Sequence, residues 1–134
     1  MRVKVEDVAR RKLVTCKVDD DVPFVAKLMV DEEVGSVFVE DRNGKIVGLI
    51  TDGQIFRLVA QRQKLENVKA RDIMVKEVYT IDRNAPLAEA WRLFQSTGVK
   101  RLAVTDGERI VGVLSRKMVQ RIMKYEKASM LAQS

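Results

Sequence analysis

The strongest constraint in this 134-residue chain is that it repeats itself. At a shift of 65 residues Lys4, Asp7, Thr15, Val34, Val39 and Asp41 fall on Lys69, Asp72, Thr80, Val99, Val104 and Asp106. After Asp41 the shift becomes 64, because the first copy carries one more residue in a turn; Ile46-Val47-Gly48 then meets Ile110-Val111-Gly112, and Thr51 meets Ser115. Two in-register copies mean one supersecondary unit built twice, and a unit of about 55 residues is marginal alone. The copies are therefore expected to pack sheet on sheet about a pseudo-twofold axis, leaving two related clefts for ligands.

Each copy reads as strand, helix, strand, strand, helix, an α+β fold. Val14-Thr15 and Tyr79-Thr80 are short extended segments ending in polar runs, Asp19–Asp21 and Asp82–Asn84, that supply helix N-caps. Helical spacing follows in Val22, Val25, Ala26 and Met29, and again in Leu87, Ala90, Trp91 and Phe94. Pro23 and Pro86 suit a first turn, and Gly98 a helix stop. Val37–Glu40 with Ile46–Ile50, and Leu102–Thr105 with Ile110–Leu114, form hairpins turned by Asn43-Gly44 and Asp106-Gly107. The closing helices carry Ile55, Phe56, Leu58 and Val59, then Met118, Val119, Ile122 and Met123. The divisions are repeat one at 1–60, a linker at 61–69, repeat two at 70–124 and a tail at 125–134 that is expected to fray after Lys127.

Composition removes several chemistries. The chain has no histidine and one cysteine, Cys16. It therefore offers no Ser-His-Asp or Cys-His pair, no histidine zinc site and no internal disulfide, which points to a reducing cytoplasm. No apolar run reaches the roughly 20 residues of a membrane span, no signal-peptide core is visible, and no P-loop or metal-ligand spacing is present. No enzyme activity, metal or cofactor is expected. Asp19-Asp20-Asp21 reads as capping and solvated charge rather than a metal site, and Cys16 as a small buried hydrophobe. Basic and acidic residues number 25 and 19, net +6; they balance at twelve each through Asn67, and from Val68 onward stand at thirteen against seven.

These residues resemble the tandem pair of CBS domains, or Bateman module, a regulatory unit that binds adenosine-containing ligands. The resemblance runs from about Val5 to Met123. It is carried by Asp72-Ile73-Met74, the helix-plus-hairpin order, Gly98 to Asp106, and the duplicated Ile-Val-Gly-x-x-Thr/Ser. It implies a stand-alone ligand-sensing protein holding AMP, ADP, ATP or S-adenosylmethionine in the cleft between repeats and signalling to a partner protein in trans. The implied site residues are Thr15, Lys100, Arg101, Val113, Ser115 and Arg116 for one cleft, and Gly35, Ser36, Leu49, Thr51, Gln54 and Thr80 for the other. Thr51 and Ser115 open a helix, where free N–H groups and the dipole favour a phosphate. Gln54 and Met118 stand where the family's ribose-binding aspartate is found. The resemblance also implies a homodimer through the helices, around Leu28, Met29, Trp91, Ile122 and Met123. The alternatives are a nucleic-acid-binding protein using the basic second repeat, although aromatics for base stacking are few, and an interaction scaffold that has lost nucleotide binding.

Overall fold

A computed structural model describes residues 3–133, with side chains through Lys127. Helix α1 is Val5–Val8, strand β1 Thr15–Lys17, α2 Val22–Glu32, β2 Ser36–Glu40, β3 Ile46–Thr51 and α3 Asp52–Ala60. Then come α4 Ala70–Ile73, β4 Thr80–Asp82, α5 Leu87–Thr97, β5 Arg101–Asp106, β6 Arg109–Ser115 and α6 Arg116–Gln133. Each repeat holds a three-stranded sheet, ordered β1-β2-β3 or β4-β5-β6, whose first pair is parallel and whose second is an antiparallel hairpin. The parallel pair follows from the helix between its strands, which carries the chain back over the sheet. Both hairpins shift register at matching places, Val39/Glu40 and Val104/Thr105.

Of the two polar runs expected to cap helices, Asp19–Asp21 does so through Asp21, whereas Asp82–Asn84 does not: α5 starts without a side-chain cap, and Asp82 accepts the Asn84 N–H at 2.7 Å within the preceding turn. Asp21 accepts the Phe24 N–H at 2.9 Å and starts α2. Gly98 ends α5 in the left-handed region at φ 73°, where the matching residue of the first repeat, Glu33, takes φ 56°. Pro86 stands at the N-cap of α5, with φ −66° and ψ 144°, just before the first turn rather than in it. The 61–69 segment is not wholly irregular: Leu65–Asn67 makes a 3-10 turn, and Leu65 and Val68 pack against the first core. The backbone of α6 runs on as helix past Lys127, while Met130 and the other side chains of the tail lie outside the described residues.

Packing units and sequence repeats divide the chain differently. One compact unit is Val14–Val78; the other joins the N-terminal arm, through Leu13, to the residues from Tyr79 onward. The opening segment of each repeat thus folds with the other repeat, through the same hydrogen bonds. In the second-repeat unit Val5 N–H bonds Ala85 C=O at 2.9 Å, Glu6 N–H bonds Arg83 C=O at 2.9 Å and Leu87 N–H bonds Val3 C=O at 2.9 Å. In the first-repeat unit Ala70 N–H bonds Asp20 C=O at 2.8 Å, Arg71 N–H bonds Val18 C=O at 3.1 Å and Val22 N–H bonds Val68 C=O at 2.9 Å. The short helices are closed by side chains at their starts, Asp7 accepting Lys4 N–H and Asp72 accepting Lys69 N–H, both at 2.9 Å. Four-residue helices do not persist on their own. Burial holds these two: Val5 and Ala70 are fully enclosed, each in the core of the other repeat's unit.

This arrangement explains the duplicated glycine. Beyond each short helix the chain crosses a hairpin strand, Arg10 pairing with Val113 and Val75 with Leu49. A Cβ on Gly112 would collide with the Arg10 carbonyl oxygen, and one on Gly48 with the Met74 side chain. The expected dimer residues are largely committed inward: Met29 lies in the first core, and Leu28, Trp91, Ile122 and Met123 are partly buried against their own cores.

Candidate functional site

In the second-repeat unit the antiparallel register places Arg101 opposite Ser115, at the end of the sheet where α6 begins. The Ser115 hydroxyl accepts the Met118 N–H at 3.2 Å. It thus caps α6, the helix start whose remaining free N–H groups suit an anion. Arg116 N–H donates to the Lys100 carbonyl at 3.0 Å, drawing the base of α6 onto the turn before β5. The Arg116 guanidinium reaches the Gly98 carbonyl through Nη1 at 3.5 Å, and Arg101 Nη1 donates to the Lys100 carbonyl at 3.2 Å. Lys100 is exposed; Arg101, Ser115 and Arg116 are half-buried. Three cations and one hydroxyl therefore gather at a single helix start, a composition suited to phosphate oxygens.

The first-repeat unit has the same backbone frame and different chemistry. Asp52 N–H donates to the Gly35 carbonyl at 2.9 Å, the counterpart of the Arg116 bond to Lys100, and Ser36 pairs with Thr51 across the strands. No cation stands on Gly35, Ser36, Thr51 or Asp52. Gln54 is held by its own chain: Oε1 accepts the Thr51 N–H at 2.7 Å and the Thr51 hydroxyl at 3.3 Å, and Nε2 donates to the Ile73 carbonyl at 2.6 Å. The amide thus ties α3 to α4, and ribose recognition would have to compete with those bonds. Met118, in the matching position, is exposed and offers only a weak thioether acceptor.

Leu49 and Val113 are the residues on which the crossing segments rest, each through two backbone bonds: 3.0 and 2.9 Å to Val75, and 2.9 and 2.9 Å to Arg10. Thr15 and Thr80 open β1 and β4 of their own units. The structure therefore gathers Lys100, Arg101, Ser115 and Arg116 in one unit, and Gly35, Ser36, Thr51 and Gln54 in the other. Arg10, Ile73 and Val75 complete these neighbourhoods and were not among the sequence candidates. Their signal was the Lys-x-x-Asp pair at Lys4/Asp7 and Lys69/Asp72, which marks two short helices and hence the segments that follow them.

The acidic run is occupied in the fold. Asp19 pairs with Arg71, Asp20 accepts the Lys17 N–H at 2.8 Å, and Asp21 caps α2. Cys16 is a buried thiol whose pKa is pushed up to about 12, first by burial and then by the charges of Asp20 and Glu40. Among the described residues, no helix is long and apolar enough to cross a membrane.

The chain matches the CBS domain family twice, over residues 5–61 and 70–125. It belongs to that family. The CBS pair is 27% identical over 125 residues to an uncharacterised protein of Methanopyrus kandleri, covering 92% of this chain and 64% of that one. It is 26% identical over 127 residues to the inosine-5′-monophosphate dehydrogenase of Methanocaldococcus jannaschii, covering 94% of this chain and 25% of the enzyme. Less than two thirds of each of these relatives is thus spanned. Among solved structures it resembles the CBS domain pair of protein MJ0100, in complex with 5′-methylthioadenosine and S-adenosyl-L-methionine, at a TM-score of 0.77 and 21% identity, over 94% of this chain and 99% of that one. It also resembles a CBS domain protein of Pyrobaculum aerophilum complexed with AMP, at a TM-score of 0.73 and 22% identity, over 86% and 88%. At these identities the likeness establishes the two-repeat α+β fold.

Proposed function

We propose that this CBS pair is a regulatory module that binds an adenosine-containing ligand, AMP, ADP, ATP or S-adenosylmethionine, and passes the resulting change to a partner protein in trans. The observation that carries the reading is the convergence of Lys100, Arg101 and Arg116 on the Ser115 helix start. A ligand with phosphates suits that end, because guanidinium groups and a capped helix start both favour anions. The first-repeat site lacks those cations and has its amide engaged, so it supports a less charged ligand. Two neighbours of the same fold that carry AMP or S-adenosyl-L-methionine support the ligand class. The module works as a homodimer in the cytoplasm, a compartment that suits a chain whose one cysteine is a buried thiol.

Calorimetric titration of the four ligands into the full chain tests this. Heat is expected for at least one, with affinity for phosphorylated ligands falling about tenfold or more in Arg101→Ala and Ser115→Ala. Heat and thermal shift absent for all four would refute the reading.

A further inference from the structure

Each sheet has a short parallel strand at one edge, β1 in the first-repeat unit and β4 in the second, and the two edges differ bond by bond. In both, alternate residues turn their backbone groups toward the neighbouring strand. Tyr79 C=O accepts the Ala103 N–H and Arg83 N–H donates to Thr105 C=O, just as Val14 and Val18 bond Phe38 and Glu40. Thr80 and Asp82, like Thr15 and Lys17, therefore turn theirs outward. At β1 the end of the edge is closed: the Asp20 carboxylate accepts the Lys17 N–H at 2.8 Å, and Asp20 N–H donates to the Lys17 carbonyl at 3.0 Å. At β4 the residue matching Asp20 is Ala85. Its N–H still reaches the Asp82 carbonyl at 3.1 Å, but it has no carboxylate to offer. Among the described residues nothing accepts the N–H of Thr80 or Asp82 or donates to the Thr80 carbonyl.

Beside this open edge, between β4 and α5, runs a groove of about 740 Å³. Ala85 and Leu93 line it with apolar surface, and Glu89, Arg92 and Ser96 with polar groups. In the first repeat the positions of Arg92 and Ser96 hold Lys27 and Asp31, which pair with each other. Ser96 offers Arg92 no such partner, and its hydroxyl donates to the Leu93 carbonyl at 3.1 Å. Glu89 and Arg92 are exposed charges that form no ion pair among the described residues. The fold thus permits a closed edge at this place, and the residues at 85 and 96 leave the second one open.

We infer that the β4 edge and its groove take up an extended segment of the partner protein to which the module signals. Three outward backbone groups at strand spacing match another extended backbone, which carries donors and acceptors at the same spacing. In antiparallel pairing one residue opposite Thr80 exchanges two hydrogen bonds with it, and a carbonyl two residues away accepts the Asp82 N–H. The Asp82 carbonyl is taken by Ala85, which ends the pairing there. Three such bonds need help from side chains, and those of an added strand enter the groove at every second position. An apolar one lies against Leu93 and Ala85. A carboxylate meets the Arg92 guanidinium, and Glu89, one turn earlier on α5, favours Lys or Arg at the other end. The partner segment therefore carries basic, apolar and acidic residues at alternate positions. This rests on the signalling in trans proposed above and adds where the partner docks.

The test uses the full chain and two variants. Ala85→Asp installs the residue that the first repeat carries at this position and should close the Asp82 N–H; Arg92→Glu reverses the groove's cation. Circular dichroism melts check that both fold. A phage-displayed library of short random peptides is selected on the parent, and the enriched sequences are synthesised. They should show the alternating basic, apolar and acidic pattern, bind the parent in fluorescence polarisation, and bind each variant at least about tenfold less tightly. Hydrogen exchange locates the contact: the Thr80 and Asp82 amides should slow at least about tenfold with peptide, while Lys17, already bonded to Asp20, stays unchanged. No enrichment above that obtained on Ala85→Asp, or peptides that bind both variants as tightly as the parent, overturns the inference. Protection of Thr80 and Asp82 that grows with protein concentration in the absence of peptide assigns the edge to a second copy and overturns it as well. Calorimetry of the four adenosine ligands with Ala85→Asp keeps the two readings apart. Nucleotide heat without peptide binding leaves ligand sensing standing, and peptide binding without nucleotide heat leaves the docking edge standing.

Discussion

Gly112→Ala probes the crossing of the N-terminal arm over β6. The added methyl meets the Arg10 carbonyl oxygen, a main-chain atom that cannot rotate aside as a side chain can. To admit it the arm must lift, and the two bonds between Arg10 and Val113, each 2.9 Å, are lost. At about 1 kcal/mol net per bond, with the strain of overpacking added, the expected destabilisation is about 2–3 kcal/mol. Gly48→Ala is the internal control. Its methyl meets only side-chain atoms of Met74, of which Sδ and Cγ can swing aside while Cβ needs a small backbone shift, and the expected cost is lower, about 1–2 kcal/mol. Urea denaturation should show the larger midpoint shift for Gly112→Ala, about 1 M at a slope of about 2 kcal/mol/M. Hydrogen exchange gives the local readout: the Val113 amide, which donates to Arg10, should exchange at least about tenfold faster. Equal costs for the two variants, with Val113 exchange unchanged, would refute the account of why this glycine recurs.

Further outcomes follow from two side chains of the first-repeat unit, the buried Cys16 and the half-buried Gln54. The Cys16 thiol, with its pKa raised from 9.0 to about 12, should resist a disulfide reagent at pH 8 in the native protein and react once urea unfolds it. The raised pKa stabilises the folded state fully below pH 9.0 and progressively less as pH climbs toward about 12, so alkaline destabilisation should be smaller in Cys16→Ala, as read by denaturation at a series of pH values. Gln54→Ala removes the side chain that joins Thr51 to the Ile73 carbonyl and should cost about 1–2 kcal/mol, with faster exchange at the Thr51 amide. An unchanged melting curve and unchanged Thr51 exchange would show that the amide is free to serve a ligand.

The repeat, the element order, the hairpins and most caps are legible in the residues, because each depends on neighbours within a turn or two: Asp21 reaches Phe24, and Gly98 ends the helix it follows. The candidate site is legible in part. Ser115 and its three cations lie close in sequence, within Lys100-Arg101 and Ser115-Arg116, and the hairpin register alone brings those dipeptides together. The engagement of Gln54 is different in kind. Its partner Ile73 is 19 residues away, across a linker whose path no local pattern specifies.

What the sequence determines by itself is two copies of one unit and an uneven charge, +6 in total. Only the tertiary structure decides which core receives each opening segment. The N-terminal arm folds with the second repeat and the α4 segment with the first, so the charge contrast becomes net +7 against net −2 over the described residues. The physical reason is that a four-residue helix has no preference of its own. Burial of one side chain, Val5 or Ala70, together with a few backbone hydrogen bonds, selects its partner, and those groups come together only when the two ends of a unit meet in space.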